Sequence, residues 1–78
     1  MRSINAKEFK KAMIEANIDS YTELSDVTGL DKTSISSIVK GERNPNYDTI
    51  VKFIEALHLT YEEIGIIFFA NELTGTQV

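Results

Sequence analysis

Between Lys32 and Lys40 the chain carries Thr33, Ser34, Ser36 and Ser37, four hydroxyls between two ammonium groups. Ser and Thr are poor formers of an exposed helix. The cluster reads either as a solvated face or as a hydrogen-bonding face for a polar partner. Five small hydroxyl or cationic residues on one helical side favour the second reading. Catalytic chemistry finds no comparable foothold. There is no glycine-rich phosphate loop, no nucleophile–histidine pair and no carboxylate pair in an obvious cleft. Capping and solvation account for Asp26 and Asp31. His58 is the single histidine and there is no cysteine, so neither a metal site nor a disulfide framework is expected. The expectation is a non-enzyme without cofactor.

The net charge of −4 argues mildly against a nucleic-acid partner. The distribution of that charge points the other way. All eight Lys and Arg lie between Arg2 and Lys52, where eight of the twelve acids also lie. From Phe53 to Val78 there are Glu55, Glu62, Glu63 and Glu72 and no basic residue. The first two-thirds is neutral and the last third carries the whole excess. Such asymmetry lets one face meet an anion while another faces away. Lys7, Lys10 and Lys11, interspersed with Glu8 and Glu15, read as a solvated helix face.

A chain of 78 residues makes one domain with a thin core, burying only about 60% of its unfolded surface. The start, Met1 to Asn5, lacks the apolar run of a secretory signal. The longest apolar run, Ile66 to Ala70, is too short to cross a bilayer. The expectation is a soluble, cytoplasmic protein.

Five short helices must position the polar cluster. The first spans roughly Ala6 to Asn17 behind the N-cap Asn5, with Phe9, Met13 and Ala16 as its apolar stripe. The second opens at Ser20-Tyr21-Thr22-Glu23, a capping box, and turns Leu24 and either Val27 or Thr28 inward. Gly29 suits the left-handed turn that ends it. Asp31 should cap the third helix, Lys32 to Lys40, which buries Ile35, Ile38 and Val39. After Gly41 comes the loop Glu42-Arg43-Asn44-Pro45. Asn46 caps a fourth helix that buries Ile50, Phe53, Ile54 and Leu57, and His58 near its end favours the dipole. Thr60-Tyr61-Glu62-Glu63 is another capping box, opening the fifth helix. Residues 1–70 form the domain, and residues 71–78 read as a flexible polar tail.

Two helices crossing at a three-residue turn need a small residue at their contact, a glycine in the turn and apolar residues to lock the pair. Ser25, Gly29, and Leu24, Leu30, Ile35 and Ile38 fill these places. The stretch from Tyr21 to Lys40, with Gly41-Glu42-Arg43-Asn44-Pro45 after it, resembles the helix-turn-helix of the phage repressor and Cro-like family, also called the XRE family. The resemblance covers roughly residues 5 to 65. It implies an all-α, compact five-helix bundle of the lambda-repressor-like type, with the second and third helices as the helix-turn-helix.

The resemblance also implies roles. The third helix would lie in the major groove. Lys32, Thr33 and Ser37 stand where the family touches bases. Lys32 would donate to guanine and the Thr33 methyl would meet thymine. Ser34 and Ser36 would point outward, and with Tyr21, Lys40, Arg43 and Asn44 would hold the DNA backbone. Many relatives carry Gln in place of Tyr21 and Gln or Arg on the third helix. The serines here make weaker, less discriminating contacts. An Arg–Glu pair common in the family is matched here by Met13 and Val39, an apolar pair expected to touch.

The run Ile64 to Phe69 is more apolar than one core stripe requires. On a helix, Ile64, Ile67 and Phe68 share one side, which should pack on the first and fourth helices. Ile66, Phe69 and Leu73 share another, expected to form a homodimer interface. A short strand over Ile66 to Phe69 is the alternative, and completion of the thin core is the plainer reading. A two-fold dimer suits a palindromic operator in double-stranded DNA. The leading expectation is a sequence-specific transcriptional regulator, a small repressor of phage or mobile-element type. The alternative is a helix-turn-helix protein-interaction module, an antitoxin-like or anti-repressor partner, working through the acidic last third and the apolar run.

Overall fold

A computed structural model describes residues 4–69. The expected tail, residues 71–78, and the proposed interface residue Leu73 lie outside the described residues. Among the described residues every regular element is helical. The order is α1 (Ala6–Glu15), α2 (Tyr21–Thr28), α3 (Lys32–Val39), α4 (Tyr47–Leu57) and α5 (Tyr61–Ile64), running into a π-helical turn over Gly65–Phe69. The all-α, five-helix expectation holds. The strand alternative for Ile66 to Phe69 does not, because these residues lie in the π-turn.

Local capping explains where the helices start. Asn5 accepts from the Glu8 amide, Asn46 from the Thr49 amide and Thr60 from the Glu63 amide. Thr60 and Glu63 close a full capping box, since Glu63 also accepts from the Thr60 amide at 2.9 Å. Two caps depart from the sequence pattern. Ser20 accepts from the Glu23 amide, but the Glu23 carboxylate reaches the Asp19 amide instead of that of Ser20. Asp31 occupies the N-cap of α3 without a side-chain bond to the helix.

A left-handed residue follows each of α1 to α4. Gly29 at φ 76° closes α2, its amide donating to the Ser25 carbonyl at 2.8 Å. Gly41 at φ 83° follows α3, where the Glu42 amide bonds back to Ser37 and the Gly41 amide to Ile38. Asn17 at φ 61° produces the same pair of bonds after α1, from Ile18 to Met13 and from Asn17 to Ile14. That motif stops α1 at Glu15, two residues short of the sequence expectation.

The core gathers the apolar stripes of all five helices. Phe9, Leu24, Ile35 and Phe53 are fully enclosed. The Phe9 ring meets Phe53 edge-on at 5.0 Å, and Phe53 stacks on Phe68 at 6.4 Å. Met13 and Val39 are both buried in this one cluster. On α4, Phe53 and Leu57 are buried, whereas Ile50 and Ile54 are half-buried. Thr28, and not Val27, is the inward partner of Leu24 on α2: Val27 is exposed. The π-turn packs on α1, and the Ile67 carbonyl accepts from the Asn5 amide at 2.8 Å, tying the end of the bundle to its beginning.

Candidate nucleic-acid interface

The turn between α2 and α3 is held by side chains as well as by glycine. The Ser25 hydroxyl, half-buried on α2, donates to the Leu30 carbonyl. The Thr28 hydroxyl donates to the Leu24 carbonyl at 2.7 Å and accepts from the Leu30 amide at 3.1 Å. Ser25 is therefore more than a small residue at a crossing, because its hydroxyl gives the carbonyl of the turn residue Leu30 a hydrogen-bond partner. These bonds fix the angle at which α3 leaves α2.

Once α3 is fixed, its own periodicity decides what it shows. Ile35, Ile38 and Val39 are buried. At roughly 100° per residue, Thr33, Ser36, Ser37 and Lys40 fall on the side away from that stripe, with Lys32 at its edge. Lys32, Thr33 and Lys40 are exposed, while Ser36 and Ser37 are half-buried. Ser34 lies on a flank of α3 and is half-buried. Hydroxyls on short side chains, bracketed by two long cations, make a surface that can both donate and accept at close range.

Arg43, in the loop after α3, donates through Nη1 to the Ser34 Oγ at 3.0 Å. Ser34, Arg43 and Asn44 border one cleft of about 280 Å³, which is also lined by Asn46, Asp48, Thr49 and Lys52 at the start of α4. Sequence reasoning brought Ser34, Arg43 and Asn44 to one function, and the structure brings them to one place. It missed Lys52, because no local pattern connects position 52 to position 43. Tyr21 stands apart from that cleft. It is half-buried against the core at the start of α2 and borders a more apolar groove with Lys10, Met13, Ile14 and Ile18.

A family model described as helix-turn-helix matches residues 9–64, which spans α2, the turn and α3 together with most of the supporting helices. This chain belongs to the Cro/C1-like, or XRE, helix-turn-helix family. No curated protein and no solved structure gives a match. The XRE family is one of DNA-binding regulators and is not typically enzymatic. The chain is thus a DNA-binding helix-turn-helix domain of the regulatory kind. Among the described residues no group of three or more His, Asp or Glu is placed to hold a metal ion, and no helix is long and apolar enough to cross a membrane.

The residues expected to pair two copies divide between surface and core. Ile66 is 44% exposed, on the outside of the π-turn. Phe69 is half-buried, packs against the core and meets Phe68 edge-on at 6.4 Å. An α-helix would have kept Phe69 beside Ile66 on one face. The wider π-turn changes that spacing.

Proposed function

We propose that this chain is a sequence-specific transcriptional regulator, a small repressor of phage or mobile-element type, that reads the major groove with α3. One observation carries the reading. The side of α3 away from Ile35, Ile38 and Val39 presents Thr33, Ser36, Ser37 and Lys40, with Lys32 exposed at the edge, on a helix whose exit angle is fixed by the Ser25 and Thr28 bonds. In this reading Lys32, Thr33 and Ser37 touch bases. Tyr21, Ser34, Ser36, Lys40, Arg43 and Asn44 hold the sugar-phosphate backbone. The protein works in the cytoplasm as a homodimer on a palindromic operator, with Ile66 and Phe69 at the two-fold contact.

The test is selection of bound duplexes from a random pool by the whole chain, followed by anisotropy at two salt concentrations. Enrichment of a palindrome, weakened by salt and by Lys32→Ala, is the expected result. Binding of no duplex even at low salt overturns the reading. That outcome would favour the protein-interaction alternative, for which exposed Ile66, bordering a cleft with Glu62 and Glu15, is the supporting observation.

A further inference from the structure

We propose that Lys52 completes a seat for one DNA phosphate in the cleft between the loop after α3 and the first turns of α4. The proposal rests on the DNA-binding reading above and assigns a contact to an element outside the helix-turn-helix itself.

Lys52 is exposed and borders the same cleft as Arg43 and Asn44, although nine residues separate it from Arg43. The Arg43 guanidinium is already held on one side by the Ser34 hydroxyl. A guanidinium has five N–H donors, so one bond to Ser34 leaves others for an oxyanion. Asn44 adds an amide. Lys52 brings a second full charge to the same cleft from α4. The start of α4, an eleven-residue helix, lines this cleft, and its dipole places partial positive charge there. The cleft, about 280 Å³, has room for a phosphodiester group.

Asp48 is the opposing term. It borders the same cleft and sits in the first turn of α4, where it suits the helix dipole. Two cations against one carboxylate leave the seat with one net positive charge. Asp48 therefore weakens phosphate binding while it supports the helix. Because a phosphate contact carries no sequence information, Asp48 lowers the affinity for every duplex alike.

The experiment measures the affinity of the whole chain for its selected duplex across a salt series. The variants are Lys52→Ala, Lys52→Arg, Asp48→Asn and, as a control, Lys11→Ala, an exposed lysine on α1 that borders a different cleft. Each variant is first checked for an unchanged helical spectrum and melting curve. Loss of one phosphate contact reduces the slope of log K against log salt by about one. Lys52→Ala is expected to show that reduction and Lys52→Arg to restore the slope. Lys11→Ala should match the parent, and Asp48→Asn should tighten binding at low salt. A parent that binds DNA steeply while Lys52→Ala keeps the full slope overturns the seat and leaves the DNA-binding reading standing. A parent that binds no duplex overturns both.

Discussion

Arg43 and Ser34, nine residues apart, are joined by a single hydrogen bond of 3.0 Å from the guanidinium to the hydroxyl. The bond crosses from the loop after α3 to the flank of α3 itself, linking two groups proposed to hold the same DNA backbone. Because the bond itself is open to solvent, it contributes only about 1 kcal/mol to folding. Ser34→Ala is expected to leave the melting temperature nearly unchanged, because alanine is the better helix former inside α3 and offsets most of that loss. Its effect should appear in DNA affinity, because the guanidinium then has to be ordered on binding. A loss of several-fold by anisotropy, with no change in base preference, is the expected pattern. A change in preferred sequence would move Ser34 to the base-reading group.

Lys32 stands at the first position of α3, exposed, where a long side chain reaches furthest into a groove. A good base contact discriminates by about 1–3 kcal/mol. Lys32→Ala should relax the requirement at one position of each half-site and leave the others unaltered. Repeating the selection with the variant measures this directly. A uniform loss across all sequences would mark Lys32 as a phosphate contact instead.

Gly29 and His58 occupy the same left-handed region, at φ 76° and 52°, with opposite consequences for substitution. No atom lies within 4 Å of a Cβ built on Gly29, so Gly29→Ala meets no clash. What remains is the cost of holding a side chain in that conformation, about 1–2 kcal/mol. For a domain of this size, 1 kcal/mol lowers the melting temperature by about 4–8 °C. His58 already bears that strain at the end of α4. His58→Gly should raise the melting temperature by a similar step at neutral pH. A drop would mean that the imidazole contributes more at the helix end than its backbone strain costs.

The helix starts were legible because each cap is a local event. Asn5, Asn46 and Thr60 all accept the bond their position demands. The turn was legible because Gly29 must be left-handed for α3 to cross α2. The early stop of α1 was not, since Asn17 is only one of several residues that tolerate a positive φ. The π-turn was also hidden. Apolar periodicity distinguishes repeats of 3.6 and 2, and a single wider turn matches neither. Its effect was to place Phe69 against the core while Ile66 stayed outside. Of the polar site, the face of α3 followed from spacing alone. The cleft shared by Arg43 and Lys52 did not, because it exists only once α4 has packed.

Phe53 is fully buried between Phe9 and Phe68, and so joins α4 to both α1 and the π-turn. Truncating a buried Phe to Ala costs about 3–5 kcal/mol. Small domains hold little more stability than that. Phe53→Ala should therefore be largely unfolded at 37 °C by circular dichroism. Phe53→Leu should fold, with a melting transition well below the parent. A well-folded Phe53→Ala would mean that the neighbouring rings close the space.

Ile66 decides whether the end of the bundle is an interface. It is a large apolar residue with 44% of its surface exposed, while its neighbours Ile67 and Phe68 are buried in the core. Replacing it with Ser removes little from the fold, because much of its surface already faces solvent. If two copies meet there, Ile66→Ser separates them, and sedimentation at high micromolar concentration should show a dimer for the parent and a monomer for the variant. The separated form should also lose affinity for a palindromic duplex far more than for a single half-site, since each monomer would then bind alone. A parent that sediments as a monomer removes the dimer outright. The operator would then be expected to carry one half-site, read by α3 with the backbone contacts of a single chain.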